Sequence, residues 1–263
     1  MAVTRTHSIL VASALLSLLA APLSPQVPVG AQDSAARRDS LPSADAIAAR
    51  YHEAVGFTAF AQIQSLHSIG ELAIPAAGIT GTLEVWQARP NRTVMHASVP
   101  NYGDVRTGFT GENGWSLDPV EGARVLSGLE GAQAADDAHF DSHIRTAELV
   151  ESMTTSERTT LSGYDCYMVR TVWKTGRQTR DCFSVDTGLL VGSVRTHHSS
   201  SGPTEALILY EEYRDFGEVR VPTRITTRVG GVDQVVSLRT VTLDGVDDSV
   251  FDPPAEVRAL LGG

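Results

Sequence analysis

The chain has 263 residues and a mass of 28.1 kDa, with 42% hydrophobic and 20% charged residues, 23 Gly, 12 Pro and 2 Cys. This composition excludes disordered, collagen-like and disulfide-built chains, and the length suffices for one sizeable core, leaving one large β-rich domain or two small α/β domains open. With 31 Asp+Glu against 21 Lys+Arg, a formal charge of −10 and a pI near 5.2, there is no cationic footprint for a phosphate backbone, so no nucleic acid is expected as a partner.

Residues 1–31 read as a secretory signal peptide. Arg5 and His7 precede a 13-residue apolar run, Ile9 to Ala21, and a Pro- and Ser-bearing stretch ends at Val29, Gly30 and Ala31. The run falls short of the ~20 residues of a bilayer span. A retained anchor or a buried helix is the weaker reading. Cleavage is expected before Gln32, with a cut after Ala21 as the alternative; no cysteine lies near either site, so a lipid-attachment signal is missing. The exported chain would carry a net charge of −11 over about 232 residues, which does not favour anionic headgroups. Residues 32–42 are polar and aperiodic, a linker before one domain spanning 43–263.

Ser43 is a good N-cap. Ile47, Tyr51, Ala54 and Val55 recur at helical spacing before Gly56, and 57–63 reads as one further turn. The period then changes to two. Alternation predicts about eleven strands: 65–74, 79–88, 93–99, 105–109, 154–161, 164–173, 180–185, 189–196, 206–213, 223–229 and 234–243. Turn signals such as Pro90-Asn91, Asp186-Thr187-Gly188 and Gly230-Gly231 separate them. Short connections predict an antiparallel meander and exclude a doubly wound fold. A helical patch over 127–146 interrupts it, with Leu129, Ala132, Ala135, Phe140 and Ile144 on one side and Asp136, Asp137 and Asp141 on the other; a short helix over 254–261 ends the chain. The fold class is thus mainly β with helices: one curved antiparallel sheet forming an unclosed half-barrel, with helices packed in its concave face as a lid. Ile79, Leu83 and Val85 oppose Thr80, Thr82 and Trp86 on one strand, and periodicity leaves open whether the inner face is a filled core or a lined cavity.

Chemistry-bearing constellations are sparse. His139 and His143 stand at i and i+4, but Phe140 follows the first where a zinc protease has its glutamate, and no third ligand is evident. His197 and His198 are adjacent on a strand, so their side chains diverge. No nucleophile elbow, phosphate loop or paired-carboxylate motif occurs, and no catalytic residue, metal or cofactor is assigned. Asn91-Arg92-Thr93 matches a glycosylation acceptor, a pattern too short to count. In an exported chain, Cys166 and Cys182 on successive strands predict a disulfide. They lie opposite each other only if the hairpin is centred on Lys174; a tight Thr175-Gly176 turn separates them by roughly 10 Å along the strands.

The stretch from Gly81 through Leu83, Val85, Trp86, Arg89 and Pro90 to Asn91 is followed by Gly111-Glu112-Asn113-Gly114-Trp115, Asp118-Pro119 and a tail Phe251-Asp252-Pro253-Pro254. In this order the motifs resemble the LolA-like periplasmic outer-membrane lipoprotein carriers, over about residues 43–260. The resemblance implies a half-barrel around an apolar cavity for lipoprotein acyl chains, with Arg89 hydrogen-bonded to the lid helices and holding the empty carrier closed. The plain alternative is that Arg89 is an exposed turn residue. Candidate ligand-binding residues are Arg89, Leu83, Val85, Trp86, Met95, Trp115, Leu129 and Phe140. The implied protein is a periplasmic, non-enzymatic, monomeric carrier of acylated lipoprotein or lipid, with membrane-bound donor and acceptor proteins as partners. A periplasmic sensor or interaction domain of the same fold, and a hydrolase built on the scattered histidines, are the rivals. The chain is longer than expected for such a carrier, the extra length lying in hairpins such as 189–216.

Overall fold

The structure, a computed structural model, describes residues 41–199 and 202–262; the signal peptide and nearly all of the expected linker lie outside the described residues. The first helix, α1 (Ala44–Val55), starts where Ser43 Oγ accepts from Ala46 N at 3.2 Å and buries Ala44, Ile47, Tyr51 and Val55 along one stripe. Burial of each larger side chain contributes about 1.5–3 kcal/mol. Gly56 ends α1 in the left-handed region (φ 71°), and a Cβ there would lie 1.9 Å from Glu218 O, so only glycine fits between the helix and the following α2 (Phe57–Phe60).

Thirteen antiparallel strands follow: β1 (Ser65–Ile74), β2 (Ile79–Ala88), β3 (Arg92–Val99), β4 (Gly103–Phe109), β5 (Gly114–Asp118), β6 (Gly122–Val125), β7 (Val150–Leu161), β8 (Tyr164–Trp173), β9 (Gln178–Ser184), β10 (Leu190–Ser199), β11 (Gly202–Phe216), β12 (Val219–Val229) and β13 (Val232–Leu243). The two strands beyond the expected eleven are β5 and β6, five and four residues long, too short for alternation to register. The sheet order is β6-β5-β4-β3-β2-β1-β13-β12-β11-β10-β9-β8-β7. This corrects the single meander: two meanders join through β1 and β13, and the chain crosses from one free edge, β6, to the other, β7.

That crossing, 126–149, contains α3 (Gly128–Ala138). The expected helix over 127–146 stops early, because His139 has extended backbone (φ −63°, ψ 125°) and 139–149 proceeds in turns. The helix touches both β4 and β10, seven places apart in the sheet. In a flat sheet those strands would be roughly 34 Å apart, whereas an 11-residue helix is only about 16 Å long. The sheet is therefore curled around it, without closing.

Two faces result. Cross-strand partners share a face, so Leu66, Leu83, Val85, Met95, Thr107 and Ser116 look inward, whereas Trp86, Val94, Gly108 and Trp115 look outward. Under α1, α2 and 139–149 the inner face is a filled core that includes Tyr51, Phe60, Phe140, Ile144, Val169 and Phe183. The outward row is capped by the C-terminal helix α4 (Ala255–Leu261), whose Val257 packs with Phe251, Ala88, Val94 and Trp115.

Cys166 and Cys182 are bonded, with Cα atoms 5.5 Å apart. Direct opposition is not what allows it. The register sets Cys166 against Ser184 and Cys182 against Met168, with a turn over 174–177; the bridge runs diagonally, and the right-handed twist of a strand pair brings one diagonal together.

Candidate functional site

The inner face is not filled along its whole length. Between α3 and strands β2 to β6 lies an open cleft of about 1070 Å³, reaching across to Arg195, His197 and Thr227 on β10 and β12. Val85, Met95, Val99, Val105 and Phe109 give it an apolar wall; Thr107, Ser116, Arg124, Glu130 and Gln133 give it a polar one. The filled-core and lined-cavity alternatives are thus both realised, in different halves of one curled sheet.

Of the residues expected to touch a ligand, Val85 and Met95 line the cleft. Leu83 is buried beneath them with Leu72 and Ala97. Trp115 borders the cleft yet is only 1% exposed, its ring packed over Gly108 on the outward side. Trp86 lies off the cleft: inward and outward positions alternate, and it faces out, stacked on His67 with centroids 4.9 Å apart. Leu129 is also off the cleft, 67% exposed on the first turn of α3. Phe140 belongs to the filled half, stacked on Phe60 at 5.2 Å.

Arg89 follows β2 in a turn, at a cis Arg89–Pro90 bond, but its side chain is only 22% exposed. Its Nε donates to Ile63 O (2.7 Å), Nη2 to Phe60 O (3.3 Å) and Nη1 to Asp141 Oδ2 (2.6 Å), and its guanidinium lies 4.6 Å from the Phe140 ring centroid. One side chain thereby ties the end of α2 to the crossover. A smaller recess of about 380 Å³ adjoins it, bounded by Phe57, Asp141 and Thr146.

The rest of the crossover is strapped by groups that the sequence pattern does not mark as straps. Tyr51 donates to His143 O (3.0 Å) and His52 to Ile144 O (2.9 Å). Arg145 enters the core as a fork on Asp181, at 3.1 and 2.9 Å, with side chains 5% and 0% exposed. Thr171, Thr179 and Ser193 complete the carboxylate's shell at 2.7–2.8 Å. Burial alone would raise the Asp181 carboxyl, but Arg145 and these hydroxyls hold it below its ordinary range. Arg145 adopts positive φ (58°), a conformation that costs a non-glycine residue about 1–2 kcal/mol and is held here by the pair. Along α3, Asp137 takes Arg177 and Arg195 at 2.6 Å each, Glu130 takes Arg124 at 2.8 Å, and Gln133 bonds His197 Nδ1 and His198 N.

His139 and His143 do not form a metal pair. They flank a turn rather than sharing a helix face, and burial beside Arg145 lowers His143 to about 4. Among the described residues no group of three or more His, Cys, Asp or Glu is placed to hold a metal ion.

The curled, unclosed sheet has counterparts among solved structures. The chain superposes on a LolA superfamily protein from Nitrosomonas europaea with a TM-score of 0.53 at 18% identity, covering 81% of this chain and 99% of that one. It superposes equally on a DUF1329 family protein from Desulfovibrio piger, with a TM-score of 0.53 at 14% identity, covering 78% and 97%. At these identities the likeness is one of fold. No protein-family model and no curated protein matches the sequence.

Proposed function

We propose that the chain is an exported, non-enzymatic carrier or binder of acyl chains, borne by lipoproteins or lipids, with residues 1–31 acting as its signal peptide and the periplasm as its compartment. Delivery between membrane-bound donor and acceptor proteins in lipoprotein sorting is the role that fits such a carrier. The observation that carries this reading is the open cleft beneath a crossover that Arg89, among other straps, fastens to the body of the domain. At about 1070 Å³ the cleft is just above the ~300–1000 Å³ range of small-molecule sites.

Affinity and release must be balanced in a carrier. Burying a methylene contributes about 0.8 kcal/mol, so a long acyl chain contributes on the order of 10 kcal/mol, enough to make hand-over slow. Straps that favour the closed, empty form compete with the ligand and lower this affinity. The charge-assisted bond of Arg89 to Asp141 and its two bonds to carbonyls hold α2 and the crossover together, each such bond contributing about 1.5–3 kcal/mol.

Arg89→Leu is therefore expected to hold an acylated ligand about tenfold more tightly while remaining folded. The measurement is transfer of a bound fluorescent acyl lipid to acceptor vesicles, with near-UV circular dichroism as the folding control. Equal transfer by variant and parent rejects the role of Arg89; failure of the parent to take up any acylated probe rejects the function.

A further inference from the structure

The charge on the walls of the cleft restricts what the polar end of an occupant can be. Four carboxylates border the cleft, Asp118, Glu121, Glu130 and Asp137, against two guanidiniums, Arg124 and Arg195. Both guanidiniums are already engaged: Arg124 with Glu121 at 3.1 Å and Glu130 at 2.8 Å, and Arg195 with Asp137 at 2.6 Å. Behind the wall, Arg177 is shared between Asp136 and Asp137, so including that pair leaves the balance unchanged. Asp118 is fixed as an anion: burial would raise its carboxyl, but the N–H groups of Val120 and Glu121 and the Tyr102 hydroxyl bond it and hold it low. A negatively charged head would thus give up its hydration beside surplus carboxylates, with both wall guanidiniums already ion-paired and only the buried Arg195 Nε–H left without an acceptor.

We propose that the cleft selects an amphiphile whose tail lies along Val85, Met95, Val105 and Phe109 and whose polar end bears no negative charge, an acyl glyceride or acyl amide rather than a phosphate- or carboxylate-headed lipid. This rests on the acyl-binding reading given above and adds the class of head. The hydroxyl-bearing and amide side chains of the wall, Thr107, Ser116 and Gln133, suit an uncharged hydrogen-bonding head.

The test uses the full exported chain at about pH 8, where ordinary imidazoles are neutral. Three amphiphiles with one dodecyl tail compete against an uncharged environment-sensitive dye: dodecanoyl glycerol, dodecyl trimethylammonium and dodecyl phosphate. At low salt the phosphate is expected to bind at least about tenfold more weakly than the glyceride, and about 0.5 M salt should shrink the gap to roughly threefold by screening. In the double variant Glu121→Gln, Glu130→Gln, which strips Arg124 of its partners, the phosphate-to-glyceride affinity ratio should rise at least about fivefold. A phosphate that competes as well as the glyceride at low salt overturns the proposal while leaving acyl binding intact. If none of the three binds, the acyl-binding function itself falls, and this inference with it.

Discussion

Asp181 shows how a residue decisive for the fold can escape a reading of the sequence. It sits in an alternating strand beside Arg180, and nothing local tells which of the two charges turns inward; its partner Arg145 lies 36 positions away in a segment without regular structure. Removing one member of such a buried pair costs about 3–5 kcal/mol, because the other charge is left without its partner. Arg89 was legible because a motif marked it, yet its partner Asp141 was read only as part of an acidic helix face. His143 gives this region a pH dependence. Its folded pKa of about 4, lowered by burial and by Arg145 and Arg89 and only partly offset by Asp141, lies below the ordinary histidine value of 6.5. Above pH 6.5 both folded and unfolded forms are neutral. As the pH falls towards 4 the unfolded chain takes up the proton first, so stability is lost, by at most about 3 kcal/mol. His143→Gln should flatten the urea-midpoint profile between about pH 6.5 and pH 4. An unchanged slope would mean that the imidazole is protonated in the folded protein.

At the scale of elements, the pattern of residues revealed what local periodicity can reveal. The helix after Ser43 and eleven of the strands follow from spacings of 3.6 and two, whereas β5 and β6, at five and four residues, are held by their neighbours rather than by their own pattern. Phe140 and Ile144 kept a helical spacing and are buried as that spacing implies, but the backbone between them turns, because its bonds go to Pro90, Tyr51 and His52 rather than up a helix. No sequence rule shows that a connection crosses the whole sheet, since topology is decided by which distant edges can be covered. The Cys166–Cys182 bridge fixes β8 to β9 on the outward face, packed with Met168 and Val191. Its loop of 16 residues constrains the unfolded chain enough to contribute about 3 kcal/mol. Replacing both cysteines by alanine should lower the urea-extrapolated stability by about that amount with acyl-probe affinity unchanged, because neither cysteine lines the cleft; a loss below about 1 kcal/mol would mean that the unfolded chain is already compact there.

The whole molecule is asymmetric in how its inner face is covered, and this decides which part can move. Helix α1 contributes Ala44, Ile47, Tyr51 and Val55 to the filled core, so lifting it would expose several large side chains at about 1.5–3 kcal/mol each. By contrast, α3 buries only Ala138 among its own residues, contains Gly131, and is held to the sheet mainly by carboxylate pairs with Arg124, Arg177 and Arg195 whose side chains retain solvent contact. Such pairs are weak singly and weaken further with salt. Of the two helices, α3 is therefore the one held by the weaker contacts and the one expected to yield first, whereas α1 is anchored by apolar burial. Hydrogen exchange read by mass spectrometry should find the amides of 128–138 exchanging faster than those of 44–55. Raising the ionic strength to about 0.5 M should speed exchange in α3 alone, since a shorter screening length loosens ion pairs and leaves apolar burial intact. Faster exchange in α1, or salt effects shared equally by both helices, would place the moving part elsewhere and make the filled half, rather than the cleft, the gate.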